Sequence, residues 1–211
     1  YDVIHNIGVI NFKSNKFLSS KQYFERALKI KPDFFESCLY LSITLQSMEK
    51  FKDSVSVCRQ AIKLNPDNPQ SYNHLGISFS SLDRLEEAEI NFKKAITLDP
   101  NYFDAYSNLG FNLQAMNKLK DAEECYNKAL ILNPESVPAL MSRWKLFFEK
   151  GEYEAALRDS DFCITISSDQ KKIDPLNPHQ KSLEALYALG RIEEIYERIE
   201  ILFKSNPDNL E

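Results

Sequence analysis

The chain has 211 residues, 43% of them hydrophobic and 27% charged, and carries a formal net charge of −5. This composition supports a buried core, and the acidic balance argues against a nucleic-acid groove, which needs a basic stripe. The sequence has no apolar run of about 18 or more residues, so we predict no membrane-spanning segment.

A proline recurs every 34 residues, at Pro32, Pro66, Pro100 and Pro134. A period held this strictly is typical of one supersecondary unit copied in tandem. We number every copy so that this proline falls at place 32, which gives units at 1–34, 35–68, 69–102, 103–136 and 137–170.

Two apolar series at helical spacing run through each unit. The third unit shows them most clearly, with Tyr72, Leu75 and Phe79 followed by Leu85, Ala88, Phe92 and Ala95. A break at places 15 and 16 separates the two series. The proline ends the second helix because it cannot donate to the helical ladder and restricts the residue before it. Each unit is therefore predicted to be a helix-turn-helix pair.

Residue size repeats along with the helices. Glycine occupies place 8 in three units, as Gly8, Gly76 and Gly110, although glycine inside a helix costs about 1 kcal/mol relative to alanine. That cost is tolerated where a neighbouring helix must approach closely. Places 20 and 27 are small or of modest size, and place 24 is aromatic in the first, third and fourth units.

The C-terminal part departs from this pattern. The fifth unit has Arg143 and Trp144 where other units have leucine and glycine, so we predict an altered packing angle there and a partly exposed Trp144. The polar stretch 168–175 is predicted to be an exposed insertion, with residues 171–175 as the inserted loop between units. Residues 176–211 form a degenerate sixth unit, and the bulky Leu183 and Ile195 at places 8 and 20 indicate a capping pair.

In period, residue type and order, the pattern resembles the tetratricopeptide repeat (TPR) family. The resemblance covers essentially the whole chain and implies an all-α, right-handed α-solenoid of tandem TPR units forming one domain. The third and fourth units are similar to the TPR arm of O-linked N-acetylglucosamine transferases, for example over residues 106–110. Residues 186–196 are similar to the TPR region that precedes iron- and 2-oxoglutarate-dependent oxygenase domains in marine bacterial proteins.

In TPR proteins the first helices line a concave groove, with places 2, 5, 6, 9, 12 and 13 facing inward. The resemblance implies that the groove is lined by His5, Val9, Phe12, Lys13, Leu39, Ile43, Gln46, Gln70, Asn73, His74, Ile77, Ser80, Asp104, Ser107, Asn108, Phe111, Gln114, Met141, Lys145 and Phe148. This mixed apolar and amide surface suits an extended peptide or a partner helix. We expect a non-catalytic scaffold for protein interactions; the alternative is an arm that presents substrates to a catalytic domain outside this chain.

A specialised TPR clamp grips chaperone C-terminal tails with lysine, asparagine and arginine at fixed places. The first three units carry His5, Val9, Tyr40, Gln70 and His74 at those places, so binding of chaperone tails is not expected. Place 6 reads Asn6, Tyr40, His74, Asn108 and Ser142, so an asparagine ladder of the transferase type is interrupted.

Catalytic and metal-binding patterns are missing from the sequence. All five glycines are accounted for by places 8 and 15, which leaves none for a phosphate loop. Cys38, Cys58 and Cys163 hold apolar places of the repeat and are expected to be buried thiols in the cytoplasm. The acidic pairs at 86–87, 123–124 and 193–194 are expected to open second helices, where the helix dipole stabilises negative charge. We therefore expect no enzyme activity, metal or cofactor.

Self-association is a further expectation. The outer side of the first helix carries Val3, Ile4, Ile7 and Ile10, whereas terminal repeats normally need a polar outer face. A weak homodimer through the ends of the array is predicted.

Overall fold

The computed structural model describes residues 1–170 and 176–205. The predicted inserted loop at 171–175 and the predicted turn at 206–209 lie outside these residues. Within the described part of the chain the fold is built from α-helices in antiparallel pairs and contains no strand, which confirms the predicted all-α fold of tandem helix-turn-helix units.

Twelve helices lie in the described residues, alternating between first and second helices of the units. They are α1 (Asp2–Lys13), α2 (Phe17–Ile30), α3 (Phe35–Ser47), α4 (Phe51–Leu64), α5 (Pro69–Ser81), α6 (Leu85–Leu98), α7 (Phe103–Ala115), α8 (Leu119–Leu132), α9 (Val137–Glu149), α10 (Tyr153–Gln170), α11 (Leu176–Ala188) and α12 (Ile192–Ser205).

The turn inside each pair has a repeated backbone conformation. The residue at place 15 has a positive φ in all six pairs: Asn15, Glu49, Asp83, Asn117, Gly151 and Gly190. The next N–H group then donates to a carbonyl five residues earlier, as from Arg84 to Phe79 at 2.9 Å. This left-handed residue with its backward hydrogen bond is the Schellman ending of a helix. The predicted break at places 15 and 16 is confirmed.

The repeating proline also acts as predicted. Helix α2 ends at Ile30, and the following Lys31 is extended. The same ending recurs in α4 and α6, because a residue before proline is pushed out of the helical region. Place 32 of the fifth unit is Ser168, and here α10 continues to Gln170. The expectation of a loop beginning at 168 was therefore wrong, since no proline stops this helix.

Two compact units make up the chain, residues 1–125 and 126–211. In the first, each second helix packs on its own first helix and on the next one, as α2 packs on α1 and α3. Successive first helices α1, α3, α5 and α7 also contact each other, so they form one layer. In the second unit α10 packs against α9 and α11, and α11 packs against α12.

Glycine at place 8 makes room for the aromatic ring at place 24. A Cβ atom added to Gly8 would lie 2.6 Å from the ring of Phe24, and one added to Gly76 would lie 2.7 Å from the ring of Phe92. Both rings are almost fully buried. The predicted close approach of the paired helices is confirmed at these two positions.

Trp144 corrects one prediction, because it is 4% exposed and belongs to a cluster with Phe147 and Ala156. The size pattern is inverted in this unit: the bulky residue stands at place 8, while place 24 is the small Ser160. No aromatic ring at place 24 competes for the space, so the indole is buried. The altered packing angle stays a prediction.

The acidic pairs were placed correctly in two of three cases. Glu86 and Glu87 lie in the first turn of α6, and Glu193 and Glu194 lie in the first turn of α12. The pair at 123–124 lies further along α8, whose first-turn acid is Asp121, so that assignment was wrong. The error came from the register, since the pair stands three places later in its unit than the other two.

Candidate functional site: the first-helix wall

The first helices carry the predicted wall residues, and within residues 1–125 these differ widely in exposure. Lys13, Gln70, Asp104 and Phe111 are exposed, and Phe111 reaches 56%. A half-buried set comprises Val9, Phe12, Ile43, Gln46, His74, Ile77, Ser80, Ser107, Asn108 and Gln114. His5, Leu39 and Asn73 are buried. These last three pack inside the layer and offer little surface to a partner.

His5 illustrates why a place-5 residue can be buried. Its Nδ1 atom lies 2.9 Å from the Ser37 hydroxyl on the next first helix. Its ring lies among the rings of Phe24, Phe34 and Tyr40, at centroid distances of 5.4, 5.0 and 5.5 Å. Burial lowers the pKa of His5, partly offset by nearby carboxylates. The histidine therefore joins α1 to α3 and is not a surface contact.

A hydrogen-bonded amide and imidazole lie between α3 and α5. The Nε2 atom of Gln46 donates to the carbonyl oxygen of His74 at 2.6 Å and to the Ser78 hydroxyl at 2.8 Å. The Oε1 atom of Gln46 is 3.0 Å from Nδ1 of His74. Since Nε2 must be the donor, the imidazole donates from Nδ1 to this oxygen. Burial lowers the pKa of His74 to about 4, which keeps the ring neutral at pH 7.

Between α5 and α7 the polar contacts are made by asparagines. Asn108 Nδ2 donates to Asn73 Oδ1 at 3.0 Å, and Asn73 Nδ2 donates to the Tyr102 hydroxyl at 3.3 Å. Burial is the main cause that raises the pKa of Tyr102 to about 12. These bonds fix the amides, and Phe111, one turn beyond Asn108, is the most exposed aromatic side chain among the predicted wall residues of 1–125.

The second compact unit contains a groove between α9 and α11. Its volume is about 450 Å³, and it is lined by Met141, Trp144, Lys145, Phe148, Glu149, Lys181 and Glu184. The rings of Trp144 and Phe148 are stacked with centroids 4.9 Å apart. The Lys181 ammonium lies 4.5 Å from the Trp144 ring centroid and 2.8 Å from a Glu184 oxygen. An apolar floor with charged side chains at its rim can receive an apolar anchor side chain.

Three predicted wall residues, Met141, Lys145 and Phe148, line this groove together. Sequence reasoning missed Trp144, Glu149, Lys181 and Glu184. The last two stand at places 6 and 9 of the sixth unit, so extending the repeat numbering to that unit would have found them. Tyr187, at place 12, is 73% exposed and was missed for the same reason.

An ion pair orients α9 behind the groove. Arg143 donates from Nη2 and Nε to the two carboxylate oxygens of Asp159, at 2.6 and 2.9 Å. Its Nη1 atom donates to Asn127 Oδ1 at 2.6 Å. Asp159 is 5% exposed, and burial raises the pKa of its carboxyl although Arg143 opposes this rise. This pair joins α9 to α10 and was not anticipated from the sequence.

Three of the four free cysteines, Cys38, Cys58 and Cys163, are buried. Cys38 and Cys58 are buried thiols, and burial raises the pKa of Cys38 to about 11. Such thiols are poor nucleophiles because the thiolate is disfavoured. In the ranges that the structure covers, no group of three or more acidic, histidine or cysteine side chains could hold a metal ion. None of the helices described is both long and apolar enough to cross a membrane.

Family models of the tetratricopeptide repeat match this sequence at 1–34, 35–68, 57–90 and 103–136, and a TPR repeat model matches 78–117. A comparison with curated proteins finds no match.

Among solved structures, PilW, described as a widely conserved type IV pilus biogenesis factor, is 19% identical with a TM-score of 0.83, covering 99% of this chain and 94% of that chain. PilF of Pseudomonas aeruginosa is 20% identical with a TM-score of 0.76, covering 99% and 93%. YrrB, described as a TPR protein with an unusual peptide-binding site, is 18% identical with a TM-score of 0.57, covering 80% and 87%. At these identities the similarity establishes the fold alone.

Proposed function

The chain belongs to the tetratricopeptide repeat family, and from this premise we propose that it is a non-catalytic scaffold that binds a peptide or partner segment on its first helices. Proteins of this repeat act generally in protein–protein interaction. We propose that the binding surface is the wall formed by the first helices and that aromatic side chains anchor the partner there.

The α9–α11 groove is the observation that carries the proposal. Side chains at wall places converge on one cavity of about 450 Å³ with an apolar floor. In residues 1–125 the wall adds the exposed Phe111 beside half-buried Ile77 and a row of hydrogen-bonded amides. Aromatic side chains are frequent anchors of protein interfaces because they bury a large area at low entropic cost.

Affinity capture from a lysate of the source cell tests the proposal. Wild type is compared with Phe111→Ala/Ile77→Ala and with Phe148→Ala. Ile90→Ala is the matched control, because Ile90 is 66% exposed but lies on the second helix α6. Partners that wild type and the control retain, and that a wall variant loses, support the proposal. Identical partners with all four proteins would exclude the first-helix wall as the binding surface.

A second candidate is an arm that presents substrates to a glycosyltransferase or 2-oxoglutarate oxygenase domain. The similarity of residues 106–110 to the transferase arm suggests this candidate, although the asparagine ladder typical of that arm is interrupted at place 6. The gene sequence downstream of the codon for Glu211 tests this candidate. His, Asp and His metal ligands there would favour an oxygenase, and a gene lacking any catalytic domain would exclude the arm.

Two smaller elements belong to the same proposal. The buried thiols of Cys38 and Cys58 support a reducing compartment such as the cytoplasm. Weak self-association through the ends of the array is proposed in addition to binding on the wall. Neither chaperone tails nor nucleic acid are among the proposed partners.

A further inference from the structure

One aromatic surface in the α9–α11 groove already has a cation on it. The Trp144 and Phe148 rings are stacked with centroids 4.9 Å apart, and the Lys181 ammonium lies over the Trp144 ring, 4.5 Å from its centroid. A cation within about 6 Å of an aromatic centroid is attracted by the negative face of the ring, and indole gives the strongest attraction of this kind. The groove therefore has the chemistry that binds a positively charged side chain.

Two carboxylates at the groove supply the counter-charge. Glu184 lies on α11, where one of its oxygens is 2.8 Å from the Lys181 ammonium and the other accepts a hydrogen bond from Gln180 at 3.0 Å. Glu149 lies on α9 and lines the same groove. The sequence from 126 to 211 contains 15 Asp and Glu residues against 11 Lys and Arg residues, so this part of the chain is acidic as a whole. Charge therefore favours a basic partner over an acidic one at this site.

The Lys181 ammonium is held by contacts that a second cation can take over. Its ion pair with Glu184 lies within one helix, three residues apart, and pairs of this kind contribute little to stability. The Lys181 side chain is 28% exposed, and its flexible stem lets the ammonium move out into water. Lys181 is thus an internal occupant of the aromatic surface that can give way to a partner's side chain.

Arginine suits this site better than lysine does. Its planar guanidinium stacks on an aromatic ring and donates two parallel hydrogen bonds to one carboxylate, whereas an ammonium acts as a point charge. The apolar stem of an arginine can lie along the groove floor beside Met141 and Phe148. The groove volume of about 450 Å³ is large enough for this side chain.

We propose that the α9–α11 groove binds an arginine side chain of a partner segment, whose guanidinium replaces the Lys181 ammonium over Trp144 and pairs with Glu184. This inference rests on the proposed function, because it names the chemistry of the partner at one part of the first-helix wall. Lys181 then acts as an internal competitor, so its removal should strengthen binding of the partner.

The single tryptophan of the chain makes a direct test practical. Trp144 is the only tryptophan among the 211 residues, so its indole N–H signal in a proton–nitrogen NMR spectrum reports on this groove. The probes are blocked tripeptides in which a central arginine, lysine, norleucine or glutamate is flanked by glycines. Each peptide is titrated into the full chain at the same ionic strength, because surface charge attraction depends on salt.

The arginine peptide is expected to shift the indole signal until the site is saturated, with a Kd roughly threefold or more below that of the lysine peptide. The norleucine and glutamate peptides should give no saturable shift. Glu184→Gln should weaken binding of the arginine peptide about fivefold, because the charge of the hydrogen-bond acceptor is lost.

Two lysine variants separate the internal competitor from a general effect of charge. Lys181→Met should strengthen binding of the arginine peptide about threefold, because the cation over the indole is gone. Lys145→Met is the matched control, since Lys145 lines the same groove but is 61% exposed and lies 3.8 Å from Glu149. This control should strengthen binding less. Circular dichroism melting curves show whether the variants are folded, and Lys181→Gln replaces Lys181→Met if that variant is not.

Three results would each overturn the inference: an indole signal that the arginine peptide does not shift, a norleucine or glutamate peptide that binds as tightly as the arginine peptide, or equal strengthening by the two lysine variants. Failure of the proposed function has a different signature. Binding of the norleucine peptide alone would reject arginine and leave the groove as a binding surface, whereas lysate partners that every wall variant retains would reject the wall itself.

Discussion

Replacing Arg143 with leucine removes the cation of the buried ion pair and leaves the Asp159 carboxylate without its partner. Two charge-assisted hydrogen bonds to Asp159 and one bond to Asn127 are lost. Breaking a buried pair by removing one partner costs about 3–5 kcal/mol. Because the Arg143 side chain keeps 21% exposure and water can reach part of the site, we expect about 3 kcal/mol.

Urea unfolding followed by circular dichroism measures this loss at pH 7. Lys145→Leu is the control on the same helix, since Lys145 is 61% exposed and its carboxylate partner is 3.8 Å away. The control should change the free energy of unfolding by less than about 1 kcal/mol. The double variant Arg143→Leu/Asp159→Leu should recover most of the lost stability, because no buried charge remains.

The pH dependence of the Arg143 variant follows from the sign of the Asp159 shift. Burial raises the pKa of Asp159 in the folded protein, and Arg143 lowers it, so removing Arg143 raises it further. A carboxyl whose folded pKa is raised destabilises the fold above that pKa and no longer does so below its unfolded pKa near 4. The deficit of Arg143→Leu should therefore shrink as the pH falls from 7 towards 4. A loss in free energy of unfolding below about 1 kcal/mol at pH 7, or a loss that grows as the pH falls, would show that the Arg143–Asp159 pair does not stabilise the fold in this way.

Three other changes test individual features of the fold. Gly76→Ala should lower the free energy of unfolding in urea by about 1 kcal/mol, because overpacking against the Phe92 ring at 2.7 Å outweighs the gain in helix propensity. In a Phe92→Leu background the same substitution should cause no loss. Additive effects of the two substitutions would contradict this explanation. Lowering the pH from 6.5 to 4 should reduce the free energy of unfolding by about 3 kcal/mol through His74, because its pKa is about 4 in the folded protein and higher in the unfolded chain. A His74→Gln variant that loses as much stability in acid as wild type would contradict this prediction. Glu49→Gly should raise the melting temperature, because glycine adopts the left-handed backbone conformation at φ 58° without the roughly 1 kcal/mol of strain that glutamate has there. An unchanged or lower melting temperature would contradict this prediction.

Features set by the repeat were predictable from the sequence. The strict proline spacing predicted the ends of second helices, and the break at places 15 and 16 predicted the turns. Glycine at place 8 predicted a close approach of the paired helices, which the structure shows at Gly76. These predictions are correct because every copy of the repeat shows the same residue pattern, and all units fold into the same helix pair.

Side chains that depend on pairs of places were harder to predict. Trp144 was expected to be partly exposed because place 8 was considered alone, whereas the small Ser160 at place 24 compensates for it. His5 and Asn73 stand at wall places but are buried by hydrogen-bonding partners on neighbouring first helices or at their ends. The Arg143–Asp159 pair joins two helices of one unit at places that carry no charge in the first four units, so the repeat pattern gives no signal for it.

Photo-crosslinking at one wall position tests the central claim, partner binding on the first helices, most directly. A photoreactive phenylalanine analogue is introduced at Phe111 and, in a parallel protein, at Ile90; both side chains are exposed, at 56% and 66%. Irradiation in a lysate of the source cell should give crosslinked partner species from position 111 and none from position 90. Equal crosslinking at both positions, or crosslinking at 90 alone, would contradict binding on the first-helix wall.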